Sequence, residues 1–277
     1  MHWTRVDARW NARKDLQPGQ PLESGVTFDI ENWIVPGEDP LPVRVCRREG
    51  FPLSSYTNNI HLQATSITLH ETCGYGNFAG MMGGSNRAAP SKVGVHFMTG
   101  RDGNAYQLTP IDRVSWHANA WSLHSIGIEV DNIGGLKETT NGDLHSEYSV
   151  HDVYCNKSDT AAYIESHFQG TKYWATWTDA QYACTARLIK AICHKAQIPR
   201  YIQPPEQLFK PLNSSPAMRA RFRGVMTHYQ VNPQNRSDIG PYIDWARLIQ
   251  GAGLTQGDCF NTPAYSDELS GPAAAGS

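Results

Sequence analysis

Short apolar runs bounded by turn residues dominate the middle of the chain, and one long stretch carries a helical period. Ser66-Ile67-Thr68-Leu69-His70, Val93-Gly94-Val95-His96-Phe97-Met98 and Asn104-Ala105-Tyr106-Gln107-Leu108 are β-branched or aromatic and of strand length. Arg101-Asp102-Gly103-Asn104 supplies hairpin-turn chemistry between the second and third. Val114 to Trp116 and Ser125 to Val130 add two further strands. Thr178-Asp179-Ala180-Gln181 then combines an N-cap residue with Gln three positions on, opening a helix to about Gln197, before Pro199. Ala183, Ala186, Leu188, Ile189 and Ile192 form most of its apolar face. Val225-Met226-Thr227-His228 predicts a last strand, and a helix follows from Tyr242 to about Gln250.

Strands alternating with helices in one long segment predict a single α/β domain, a central mixed β-sheet flanked by helices. Its expected limits are 61–260. Two stretches interrupt it, near 133–177 and 199–223. The first holds Gly134-Gly135 and Asn141-Gly142, lacks sustained period and exceeds ordinary loop lengths, so it reads as a functional insertion. Residues 1–60 read as an irregular extension with short edge strands, because Trp33-Ile34-Val35-Pro36 and Pro40-Leu41-Pro42 break regular structure. Residues 261–277 read as a flexible tail.

Composition excludes more than it assigns. Lys plus Arg number 24 against 26 Asp plus Glu, a net charge of −2, which argues against a protein built to neutralise nucleic-acid phosphates. Charged residues make up 18%, too few for a disordered polyelectrolyte. No apolar run approaches the roughly 18 residues of a membrane helix, and no secretory signal is visible. The six cysteines are scattered without a C-x-x-C; they permit disulfides in an oxidising compartment or free buried thiols.

Eleven histidines invite a metal reading. His70 and His228 each close a strand, where α/β sheets place ligands, and Asp238 follows in a polar loop. Two imidazoles and one carboxylate can supply three zinc ligands with a fourth position open. Spacing alone leaves this beside the plainer reading of hydrogen-bonded structural histidines. Glu129 is a carboxylate inside an apolar strand, costly unless paired or functional, and both readings stand. A nucleophile elbow, a phosphate loop and a dinucleotide fingerprint are all absent.

Val93-Gly94-Val95-His96-Phe97, Arg101-Asp102-Gly103, Tyr106-Gln107-Leu108, Trp116-His117-Ala118 and Ser125-Ile126-Gly127-Ile128-Glu129, in that order, resemble the zinc-dependent N-acetylmuramoyl-L-alanine amidase family. That family takes in phage lysis amidases, bacterial amidases for anhydromuramyl peptides and the peptidoglycan recognition proteins. His70 before this block and the His228–Asp238 pair after it fit the same order. The resemblance implies zinc held by His70, His228 and Asp238, with Glu129 as catalytic carboxylate. Arg236 stands where the family usually has Lys, and is expected to stabilise charge on the substrate carbonyl. Ile239 stands where Pro commonly follows the ligand Asp. Trp116, His117, Tyr75 and Asn77 are expected to line the substrate groove, with Phe78 at its border. His96 reads as a buried structural imidazole, and His124, His145, His151 and His167 as surface residues.

The implied activity is cleavage of the lactyl–L-Ala amide between glycan and stem peptide. The alternatives are a non-catalytic peptidoglycan-binding module or a zinc amidohydrolase for another amide. The expected partners are peptidoglycan and muropeptides, without nucleic acid or membrane insertion, plus an immunity protein if the chain is a delivered toxin. The expected place of action is the periplasm or cell wall, reached by secretion, injection or phage delivery.

Overall fold

Three adjacent parallel strands form the spine: β3 (Ser66–Glu71), β6 (Ser125–Val130) and β13 (Gly224–Thr227). All their residues are buried, which is why they read as near-continuous runs rather than as alternating ones. The structure, a computed structural model, describes residues 15–22, 25–48, 60–74, 78, 94–147, 153–263 and 265. β4 (Phe97–Thr99) pairs parallel with β6 and forms the expected hairpin with β5 (Ala105–Gln107). Gly103 sits in that turn at φ 78°, a conformation open to glycine at little cost. β12 (Tyr201–Ile202) and β14 (Thr255–Gln256) extend one side and β1 (Val26–Trp33) and β2 (Leu41–Arg48) the other, giving a nine-stranded sheet in the order β1-β2-β5-β4-β6-β3-β13-β12-β14.

The N-terminal extension is more regular than its prolines suggest. β1 (Val26–Trp33) and β2 (Leu41–Arg48) are eight-residue strands paired antiparallel, and β2 joins the sheet beside β5. The Pro-rich segments mark the connection between these strands. Pro42 is the second residue of β2, close to that connection.

The 133–177 stretch is likewise not irregular. It folds as a second, antiparallel sheet of β7 (Gly135–Glu138), β8 (Asp143–Ser146), β9 (Val153–Asn156), β10 (Tyr163–Phe168) and β11 (Thr171–Ala175), in the order β10-β11-β7-β8-β9. These strands are four to six residues long, too short to show a period above their turns. Leu136, Leu144, Tyr154 and Tyr173 share a core with Val26, Phe28 and Tyr106, so this sheet and the N-terminal hairpin stabilise each other.

Helix α1 (Asp179–Ala196) has the expected capping box: Thr178 Oγ1 accepts from Gln181 N and Gln181 Oε1 accepts from Thr178 N. Leu188, Ile189 and Ile192 are fully buried on its inner face, whereas Ala183 is exposed. Short helices α2 (Pro205–Leu208), α3 (Pro216–Arg221) and α4 (His228–Val231) precede α5 (Trp245–Ala252). α5 packs beside α1 and shares its core.

Three boundaries differ from expectation. Val114 to Trp116 is not a strand; an isolated bridge joins His61 to Arg113 just before it, and Val114 N donates to the Ile60 carbonyl. α5 begins at Trp245 because Asp244, not a residue near Tyr242, accepts the capping bond from Arg247 N. His228 opens α4 instead of ending β13, since Thr227 forms a capping box with Gln230. The tail from 266, with Tyr75 and Asn77, lies outside the described residues.

Candidate metal centre and active site

Parallel pairing of β3, β6 and β13 carries their C-terminal ends to one edge of the sheet. His70, near the end of β3, His228, just beyond β13, and Asp238, on the following loop, converge there. Their exposures are 1%, 7% and 4%, so none is a solvated surface group. His70 Nδ1 lies 2.8 Å from His228 Nδ1 and 3.6 Å from Asp238 Oδ2, and His228 Nδ1 lies 3.1 Å from the same oxygen.

A chain of hydrogen bonds sets which nitrogens carry protons. The Ser125 carbonyl can only accept, so His117 Nε2, at 3.1 Å, is the donor. Burial and the neighbouring His70 hold the His117 imidazole well below the usual histidine range, so the ring is neutral and its Nδ1 accepts. His70 Nε2, 2.9 Å away, must then donate. Burial and His228 lower His70 to about 4, leaving it neutral with a lone pair on Nδ1. Burial pushes the Asp238 carboxyl up, but the two imidazoles outweigh it and hold the group well below the carboxylate range. The result is a lone-pair nitrogen aimed at a second imidazole nitrogen and an ionised oxygen, all within 4.8 Å. That donor set fits zinc with three protein ligands.

Gly127, in the middle of β6, makes room for this arrangement. A Cβ there would lie 2.8 Å from His117 Cγ and Nδ1 and 2.9 Å from Val95. His117 is thus buried with both ring nitrogens bonded, and it braces His70 rather than lining the groove as expected. His96 is the buried structural imidazole, its Nε2 donating to the Arg113 carbonyl and its Nδ1 accepting from Gly127 N. His145 is buried, not on the surface, and bonds the Ser146 carbonyl. Phe78 is fully buried against Tyr106, not at a groove border.

Glu129 is the register partner of His70, so both side chains leave the sheet on one face. Its Oε2 is buried without a hydrogen-bond partner. Burial, then the nearby Asp238 charge, raises the Glu129 carboxyl well above its ordinary value, while Arg236 opposes the shift. The Arg236 side chain is exposed, yet its charge reaches Glu129 and His70. Trp116 is half-buried against the main core, its indole N–H unpartnered. Cys73 is not part of the metal-competent group, and burial keeps its thiol protonated. All six cysteines are free.

One buried carboxylate beside the site escaped sequence reading. Glu71, 4% exposed, follows His70 and accepts bonds from Asn132 Nδ2 at 2.9 Å, Tyr242 Oη at 2.6 Å and Trp177 Nε1. The signal was the one that flagged Glu129: a carboxylate continuing an apolar strand.

Buried imidazole and carboxylate donors beside an unpartnered glutamate, at the C-terminal edge of a mixed sheet, are the equipment of a hydrolytic enzyme. The sequence model of the N-acetylmuramoyl-L-alanine amidases matches residues 61–241, well over half of the 277 residues. The chain belongs to that family and is a peptidoglycan amide hydrolase. No curated protein matches it. Among solved structures it is similar to the endolysin N-acetylmuramoyl-L-alanine amidase LysCS from Clostridium intestinale, at 13% identity and TM-score 0.41, covering 70% of this chain and 86% of that one. It is also similar to AmiD from E. coli, solved with an anhydro-N-acetylmuramic acid peptide, at 20% identity and TM-score 0.41, covering 71% and 60%. AmiA from Staphylococcus aureus aligns over 96% of this chain and 86% of its own, at 12% identity and TM-score 0.33.

Proposed function

We propose that this chain cleaves the lactyl–L-Ala amide of peptidoglycan with one zinc held by His70 Nδ1, His228 Nδ1 and Asp238 Oδ2. The observation that carries the reading is the hydrogen-bond chain from the Ser125 carbonyl through His117, which leaves His70 Nδ1 as a bare donor facing the other two. Bound zinc would supply Lewis acidity toward water and the amide carbonyl. Glu129 takes the proton of the attacking water at Oε2, the oxygen without a partner, and later passes it to the leaving nitrogen. Its raised proton affinity suits it to hold that proton between the two transfers. Arg236 sets a permanent positive charge toward the developing oxyanion. Trp116, half-buried beside His117, would meet the glycan or stem through its exposed ring face, since its indole N–H is buried.

The site of action is the cell wall, outside the cytoplasmic membrane. No helix among the described residues is long and apolar enough to cross a membrane. Digestion of purified muropeptides tests the whole reading. Free glycan and a peptide with a new L-alanine amine are expected. Muropeptide bound but uncut points instead to a binding module, and cleavage at another amide to a different hydrolase. Glu129→Gln should keep its zinc and lose about 10²- to 10⁴-fold in turnover. A Glu129→Gln enzyme of near-normal rate removes Glu129 from the proton transfer.

A further inference from the structure

The groups of the centre come from four places, the ends of β3, β6 and β13 and the Asp238 loop. Sheet pairing aligns the first three but does not hold the loop. We propose that Glu71 is the positioning residue of this centre: its carboxylate ties the Asp238 loop and the segment after Glu129 to the strand that carries His70. The proposal rests on the metal reading above.

Each tie is a direct bond. Tyr242, four residues beyond Asp238, gives its hydroxyl hydrogen to Glu71 Oε2 at 2.6 Å. Asn132, three residues beyond Glu129, donates from Nδ2 to Glu71 Oε1 at 2.9 Å and also to the Ala175 carbonyl at 2.9 Å. Trp177 Nε1 donates to the same Oε1. Arg101, itself buried, donates to Asn132 Oδ1 at 3.2 Å and places a cation one residue away from the carboxylate. The Glu71 backbone N–H meets Asp238 Oδ2 at 3.4 Å. Further bonds on this loop run from Trp245 Nε1 to the Gly240 carbonyl, from Tyr229 N to the Asp238 carbonyl and from Asp244 N to Tyr182 Oη.

The second sheet braces the same junction. The Tyr242 ring lies flat on Trp174 of β11, centroids 3.9 Å apart and 4° from parallel. Phe168 of β10 closes on Gly240, where a Cβ would come within 2.5 Å of its ring. An apolar side chain at 71 would fill the volume without directing any of these bonds. A buried charge is costly, and its directional hydrogen bonds are what it contributes in return. Groups that orient metal ligands in this way typically influence affinity 10- to 100-fold.

Tyr242→Phe removes one hydroxyl and leaves the ring stack. The zinc dissociation constant, measured by chelator competition, is expected to weaken about tenfold or more. kcat on a soluble muropeptide should fall while KM stays within about twofold, and the metal-free melting temperature should move by a few degrees at most. Glu71→Gln, of the same size, should behave likewise, and adding Tyr242→Phe to it should cost little more. Wild-type affinity in both variants overturns the proposal. So does an affinity loss fully accompanied by loss of metal-free stability, which marks a merely structural residue. Wild-type protein that takes up no zinc overturns the metal reading, and this one with it.

Discussion

Gly127→Ala adds one methyl group to the middle of β6, and the structure sets the sign of its effect. Gly127 does not adopt a left-handed φ, so its backbone accepts alanine. On that ground alone the change would stabilise by about 0.4 to 1 kcal/mol, through a less flexible unfolded chain. The space says otherwise. The new carbon would meet His117 Cγ and Nδ1 at 2.8 Å and Val95 at 2.9 Å. Carbon contacts settle near 3.5 to 4.0 Å, so the ring must retreat by roughly 0.7 to 1.2 Å. Overpacking of this kind costs about 1 to 3 kcal/mol, more than the gain. At about 2 to 4 °C per kcal/mol, the metal-free protein should melt several degrees lower. The retreat also stretches the His117–His70 bond from 2.9 Å past the limit of about 3.2 Å, so zinc affinity should fall about tenfold. Scanning calorimetry with chelator present, and a zinc competition titration, read the two effects separately. A variant that melts higher and binds zinc as before refutes the reasoning.

The other expectations address single groups. His228→Ala should abolish stoichiometric zinc uptake, read by metal analysis of dialysed protein; full occupancy would remove it from the ligand set. Arg236→Lys should retain most turnover because the charge persists, whereas Arg236→Ala should lose about 10²- to 10³-fold in kcat; equal rates in the two would exclude an electrostatic role. Burial lowers His96 to about 4 from 6.5, so the unfolded chain takes up its proton first as pH falls. Its contribution is therefore complete above 6.5 and is lost down to about pH 4, up to about 3 kcal/mol in all. His70 and His117, lowered in the same direction, add to the slope of the metal-free protein in denaturant titrations, so His96→Gln should reduce it by about one proton; an unchanged slope places the titration elsewhere.

The spine of the fold was legible because its strands are buried on both faces, and burial leaves the same apolar signature in sequence and structure. β3, β6 and α1 were expected within a residue or so of where they lie. The second sheet was hidden, since strands of four to six residues separated by Gly turns carry no detectable period. At the site, His70, His228 and Asp238 were candidates from residue type and order, and the fold brings them together. His117 was misjudged because the groove and the metal support are adjacent in sequence and opposite in exposure. A glycine inside a strand often marks a close approach, and Gly127 was that sign. Glu71 was invisible for another reason: its partners lie 61, 106 and 171 residues away, and no local pattern joins them.

The stack of Trp174 on Tyr242 limits how this chain can be shortened. A compact lytic enzyme cut back to the nine-stranded sheet and its helices would discard β7 to β11 as though they were an ornament. The cut would strip the cover from one face of Tyr242 and remove the Ala175 carbonyl that Asn132 holds. The Tyr242 ring would meet water, and the segment bearing Asp238 would lose its backing. Any trimmed version must therefore bring a substitute cover of its own, and replacing this second sheet would replace part of the backing of the Asp238 segment along with it.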